Sequence, residues 1–288
     1  MKRTRVKLED VAKAANVSKA TASLVLNDNR KVSISEKTRR RVYKAAEELG
    51  YRKNYLAKAI KTGRSYTIGV SVVNLVSRYF ALPLLGIEDV MGEYGYNIMV
   101  CSSRYDDEIE AKNIELFLQK QVDGIIIISG SWQSKNDYIE RLSKEGIPFV
   151  VINRNTDDPN TNKILFDNVN GAYQGVKHLI EEGYERIAFC RFRLRGGDED
   201  SVFMRRYEGY RKALKDGGIP FDESLYFEST PLFRNAEEYV KRVDEANMAH
   251  LMIEQGFSLM DEIIKRGKLP SAIFASVDRL AIGLIKAA

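Results

Sequence analysis

The sequence is poor in the residues that build cross-links, metal sites and membrane spans. It has two cysteines, Cys101 and Cys190, each alone in an apolar run that reads as a strand. That spacing excludes a disulfide framework and a cysteine metal site, and isolated thiols suit a reducing compartment. The two histidines, His178 and His250, have neither a nucleophile nor metal-ligand spacing beside them and read as surface or packing residues. The longest purely aliphatic run is the four isoleucines at 125–128, far short of the ~20 residues that span a bilayer. There is no G-x-G-x-x-G and no Walker A sequence; Gly267-Lys268 lacks both the upstream Gly and the Ser/Thr. The expectation is therefore no enzyme, no cofactor, no metal and no membrane. The start, Met1-Lys-Arg-Thr-Arg, is basic with no apolar segment behind it, so it does not read as a secretory signal, and a cytoplasmic location is expected.

What is present is an ordinary globular composition, 44% hydrophobic and 30% charged over 288 residues, long enough for about two domains at ~150 residues each. The charge is unevenly distributed. Residues 1–66 carry 18 Lys/Arg against 6 Asp/Glu, a net of +12, and the remainder carry 27 against 34, a net of −7. A basic head on a mildly acidic body fits a nucleic-acid-binding module joined to a non-binding domain. A membrane-surface helix would need large apolar anchors, and the head has no Phe or Trp.

In the head, Leu8, Val11, Ala12 and Ala15 fall on one helical face. Asn16-Val17 follows, and Asn is the residue after Gly that best tolerates the positive φ of a tight turn. Ser18 then caps a second helix, 19–26, whose inward face is Ala22, Val25 and Leu26 and whose outer side is Lys19, Ala20, Ser23 and Leu24. A third helix, 36–49, is capped by Ser35 and stopped by Gly50, with Arg39, Arg40 and Arg41 carrying charge. A second helix presenting small and cationic side chains fits major-groove docking. The residues 54–61 that follow are amphipathic as a helix, but too few to be stable alone in water.

Beyond Tyr66, strand candidates 67–73, 97–101, 124–128, 149–152, 187–190 and 272–275 alternate with helical stretches 81–94, 108–121, 134–145, 170–182, 203–215 and 236–266, several ending at Gly95, Gly146, Gly183, Gly217 or Gly267. Alternation of this kind predicts parallel sheets covered on both faces, with ligands bound beyond the carboxyl ends of the strands. The loops there are polar with single aromatics, which suits a small polar ligand. Arg191, Arg193 and Arg195 favour an anionic one unless Asp198, Glu199 and Asp200 pair with them.

Residues 8–27, Leu-Glu-Asp-Val-Ala-Lys-Ala-Ala-Asn-Val-Ser-Lys-Ala-Thr-Ala-Ser-Leu-Val-Leu-Asn, with Ile-Ser-Glu-Lys-Thr-Arg at 34–39 and Ala-Ala-Glu-Glu-Leu-Gly-Tyr at 45–51, closely resemble the lac repressor/galactose repressor family of bacterial transcription regulators. The resemblance implies a helix-turn-helix head (1–53), a hinge helix (54–65) and a two-lobed, periplasmic-binding-protein-like α/β core (66–288). The near lobe is about 66–165. The far lobe, about 166–288, is expected to be C-terminally incomplete, because the family continues beyond the position of Ala288. It implies a homodimer on a pseudo-palindromic double-stranded operator, controlled by a small-molecule effector, and a repressor of carbohydrate-utilisation genes. The effector expected is a sugar or sugar phosphate, with a purine second. DNA contacts are implied for Arg5, Ser18, Lys19, Ala20, Thr21, Ser23, Leu24, Asn27, Tyr51, Asn54, Ala57 and Ile60, the last as a minor-groove wedge where the family has Leu. Effector contacts are implied for Ser77, Tyr79, Phe80, Asn153, Arg154, Arg206 and Asp278. The chain departs from the pattern at Lys7, Leu24, Lys53 and Val277, the last standing where the family has Asn, and 234–255 is longer than usual. Two other readings share the same core: a solute-binding protein and a sugar-modifying enzyme. The basic head, the lack of an export signal and the lack of a nucleophile–base pair weigh against them.

Overall fold

Small apolar side chains set the geometry of the head. In the computed structural model, which describes residues 6–28, 32–52, 59–60, 62–75, 78–104, 106–128, 137–154, 156, 158–193, 202–231, 245–267 and 269–288, the chain divides into two units, Met1–Ser65 and Tyr66–Ala288. In the first unit, helices α1 (Leu8–Ala14), α2 (Lys19–Leu26) and α3 (Glu36–Glu48) close on Val11, Ala12, Ala15, Ala22, Val25, Leu26, Val42 and Ala45. Alanines at these contacts let short helices approach closely. The turn between α1 and α2 is made by Asn16 at φ 49°, as its type predicts. Ser18 and Ser35 cap α2 and α3 by accepting from the amides of Thr21 and Thr38.

The second unit holds two parallel sheets. The first has order β2-β1-β3-β4-β5, built from β1 (Thr67–Val72), β2 (Asn97–Ser102), β3 (Gly124–Ile128), β4 (Phe149–Ile152) and β5 (Asn162–Ile164), with helices α4 (Arg78–Glu93), α5 (Asp107–Gln119) and α6 (Asp137–Lys144) between strands. The second has order β7-β6-β8, from β6 (Ile187–Arg191), β7 (Tyr226–Glu228) and β8 (Ala272–Ala275), with α7 (Asn168–Glu181), α8 (Val202–Asp216), α9 (Glu245–Lys265) and α10 (Asp278–Ala287). Central β6 is buried at every position. Ile187 and Phe189 point into a core with Val176 and Tyr210, while Ala188 and Cys190 point into the opposite one with Leu259, Ile263 and Leu280. A strand apolar on both faces is what a doubly covered parallel sheet requires. Two details differ from the sequence expectation: strands β5 and β7 are additional. Helix α8 ends at Gly217 as expected, its amide still donating to the Ala213 carbonyl, and the left-handed residue after it is Gly218, φ 72°.

Helices α9 and α10 cross where each has a glycine and so lacks a Cβ. One built on Gly283 would lie 2.0 Å from the Ile253 carbonyl oxygen, and one on Gly256 would lie 2.4 Å from that of Leu280. Backbone atoms cannot rotate out of the way as a side chain can. Gly283→Ala is therefore expected to force the helices apart and destabilise the second unit by about 1–3 kcal/mol, measurable as a lowered denaturant midpoint. An unchanged midpoint would show that the helices can part without cost.

Candidate DNA-binding face and effector cleft

On α2, residues 19, 20, 23, 24 and 27 recur at helical spacing on one side, while Ala22, Val25 and Leu26 are buried on the other. Lys19 and Ala20 are exposed and Ser23 and Leu24 half-buried. The Ser18 and Thr21 hydroxyls lie 2.9 Å apart, and Asn27 reaches toward the Ser23 hydroxyl at 3.4 Å. Lys19 Nζ donates to Glu9 Oε1 of α1 at 2.5 Å, and this contact holds the Glu9 carboxyl below the usual carboxylate range. Tyr51 packs against the head core and its amide donates to the Ala46 carbonyl. Arg39, expected as part of a cationic cluster, is buried and lies 3.7 Å from Asp28, whereas Arg40 and Arg41 are exposed. Of the hinge, Ala59, Ile60 and Thr62 are helical, Gly63 donates back to the Ala59 carbonyl, and Ile60 is 87% exposed. Arg5, Asn54 and Ala57 lie outside the described residues.

In the second unit, the carboxyl ends of the strands deliver the expected effector residues, but not all to one place. Tyr79, in the first turn of α4 after β1, is 48% exposed and stands edge-on to Phe80 at 5.0 Å, with Phe166 6.2 Å away. Its partner Phe80 is buried in the core with Val70, Val72 and Ile128, because adjacent helical residues point about 100° apart and only one can face the cleft. Arg206 of α8 donates through Nε to Asn168 Oδ1 at 3.0 Å and through Nη1 to the Ser276 carbonyl, and lies over the Phe203 ring at 5.9 Å. Burial pushes its guanidinium below the ordinary value, against the pull of Tyr79 and Asp278. Burial likewise raises the Tyr79 phenol, with Arg206 opposing. Tyr79, Phe166, Asn168, Arg206, Ser276 and Asp278 thus converge from both lobes. Ser276 is itself fixed by accepting from the buried Phe192 amide at 2.8 Å. Val277 packs into the apolar core, which accounts for an apolar residue at that position.

Arg154 does not join this group. It is buried in an ion pair with Glu110, Nη2 to Oε1 at 2.7 Å, and donates to the Tyr138 hydroxyl. Asn153 beside it adopts φ 60° and is half-buried. Arg191 and Arg193 both pair with Glu228 of β7, at 3.1 and 2.6 Å, rather than offering the open anion site that composition suggested. Arg195, Asp198, Glu199, Asp200 and Ser77 lie outside the described residues. Sequence reasoning missed Phe166, Asn168 and Ser276; the signal available was the Asp167-Asn168 pair, in which Asp167 caps α7. Among the described residues no three His, Cys, Asp or Glu side chains gather as a metal site, and no helix is long and apolar enough to cross a membrane.

Residues 7–54 match the family described as bacterial regulatory proteins, lacI family, and residues 65–250 match periplasmic binding proteins and sugar binding domain of LacI family. The HTH-type transcriptional regulator RegA of Clostridium saccharobutylicum is 35% identical over 223 residues, taking in 77% of this chain; the chain spans 65% of that relative's length. Catabolite control protein A of Priestia megaterium is 29% identical over 283 residues, covering 98% of this chain and 77% of that protein. The solved lac repressor dimer bound to operator and the anti-inducer ONPF shares the fold, with a TM-score of 0.77 at 24% identity over 99% of this chain and 77% of that one.

Proposed function

The chain belongs to the lacI family of bacterial regulatory proteins, and from that premise we propose that it is a sequence-specific DNA-binding transcription regulator, a repressor of carbohydrate-utilisation genes whose grip on its operator is set by a small-molecule effector. The observation that carries the reading is the α2 face, with Lys19, Ala20, Ser23, Leu24 and Asn27 presented by a helix whose opposite side is locked in the head core. In this reading residues 1–53 bind the major groove, 54–65 form the hinge with Ile60 as its wedge, and 66–288 bind the effector between lobes of about 66–165 and 166–288. Arg5, Ser18, Thr21, Tyr51, Asn54 and Ala57 complete the DNA contacts. The effector is a sugar or sugar phosphate, with Ser77, Tyr79, Asn153, Arg206 and Asp278 as its contacts. A stacking ring next to a planar fork of donors suits the apolar face and hydroxyl edge of a sugar. The named functions of its relatives support a regulator over an enzyme or a solute-binding protein.

A pseudo-palindromic operator calls for two heads, so a second copy of the chain is the expected partner. Helix α4 supports this, since it leaves Leu82, Leu85 and Val90 exposed. The experiment is selection of bound sites from random duplex DNA by the full chain. Enrichment of a two-fold symmetric site is expected, with Lys19→Ala and Leu24→Ala each altering the preferred bases by about 1–3 kcal/mol per disrupted contact. An unchanged preference in both variants would reject this docking.

A further inference from the structure

The segments that follow β2, β3 and β4 each contribute one side chain to a buried polar cluster in the first lobe. Glu110 comes from the first turn of α5, Tyr138 from the start of α6, and Arg154 from just beyond β4. Glu110 is 1% exposed and Arg154 5%. Arg154 Nη2 meets Glu110 Oε1 at 2.7 Å, the Tyr138 hydroxyl contacts both, and the guanidinium carbon lies 5.6 Å from the Tyr138 ring centre. Burial alone would disfavour the charge on Arg154, but Glu110 and Tyr138 outweigh it and hold the guanidinium above its ordinary value.

An apolar trio would fill this space and leave no polar group to satisfy. What it could not supply is direction, because charge-assisted hydrogen bonds fix angles that apolar contacts leave loose. The residue next to the guanidinium is Asn153, held at φ 60°, a left-handed conformation that costs a non-glycine residue free energy unless its surroundings impose it. From there the order continues outward. The Asn153 amide donates to the Ile164 carbonyl at 2.8 Å, β5 ends at Ile164, and two and four residues later stand Phe166, which meets Tyr79, and Asn168, which accepts from Arg206.

We propose that the Glu110–Arg154–Tyr138 cluster is a positioning device. It fixes the backbone at Asn153, and through the Asn153–Ile164 contact it sets where Phe166 and Asn168 enter the effector cleft. Arg154 is thereby a positioning residue and not a ligand contact; only the word effector rests on the function proposed above. Backbone amide exchange on the full chain tests it and needs neither DNA nor ligand, so its failure is separate from failure of the regulator reading. The double variant Glu110→Leu/Arg154→Met removes both charges together and leaves neither buried alone. In it, exchange at the Asn153 amide should quicken about tenfold or more while the β1 and β3 amides stay within about threefold. Retained protection at Asn153 would overturn the proposal, since apolar packing would then position the loop equally well. Equal loss throughout β1 to β4 would overturn it too, because the pair would then only hold the lobe together. Tyr138→Phe, which deletes a single hydroxyl, guards against misfolding of the double variant. A rise confined to Asn153 and residues 162–164 supports the proposal, and no rise there overturns it.

Discussion

Raising the salt concentration from about 50 to 200 mM should lower the affinity of the chain for DNA by about a thousandfold, measured as fluorescence anisotropy of a labelled duplex. The size follows from counterion release. Each neutralised phosphate contributes about −0.9 to the slope of log affinity against log salt, so about six contacts suffice. The head, at 18 basic against 6 acidic residues over positions 1–66, has the cations to make them. Not all are equally available. Arg39 is buried near Asp28, and Lys19 is shared with Glu9. Arg40 and Arg41 are exposed, so Arg40→Ala or Arg41→Ala should each reduce the slope by about 1 if that arginine meets a phosphate. Arg39→Ala should instead act by loosening the head. A slope near zero would sink the DNA-binding claim.

The pattern of success and failure in the sequence reading has a physical origin. The head was legible because three short helices carry their signals locally: apolar spacing within each, Ser18 and Ser35 as caps, and Asn16 and Gly50 at turns of positive φ. The central strands were legible because burial on both faces demands continuous apolar runs such as the one at β3. Strand β5 was not, because it is three residues long and exposed throughout, so no burial pattern marks it. Strand β7 is equally short and follows a single 3-10 turn, Glu223–Leu225. Side-chain direction was the other loss. Phe80, Arg154 and Arg39 have residue types that suggest ligand or DNA contact, yet each is turned inward. For Arg154 the reason lies in Glu110, 44 positions away in the chain, and no local pattern connects two residues at that distance. The site residues that were read and do converge, Tyr79, Arg206 and Asp278, sit in the first two turns of helices beyond strand ends, where topology alone restricts direction.

Arg206→Met should reduce effector affinity by about 30-fold or more while leaving DNA binding by the head within about twofold. The guanidinium spans Asn168 at 3.0 Å and the Ser276 carbonyl, with Tyr79 and Asp278 close enough to influence its charge. It therefore joins the chain after β5 to the end of β8. Removing a half-buried guanidinium that holds two hydrogen bonds costs about 2 kcal/mol, because the groups left behind keep their desolvation cost without their bond. Lysine does not substitute. A point ammonium cannot bond Asn168 and Ser276 in the same plane while presenting its remaining donors to a ligand, so Arg206→Lys should recover little of the loss. The effect on regulation follows from linkage, since an effector shifts operator affinity only by its differential affinity for the two lobe arrangements, and a ligand bridging Arg206 and Tyr79 would engage both lobes at once. Calorimetry of the full chain against a panel of sugars, sugar phosphates and purines, followed by the same titrations on both variants, measures the loss directly. If the ligand that binds the parent chain binds Arg206→Met equally well, the cleft built on Tyr79, Asn168, Arg206 and Ser276 is not where the effector sits.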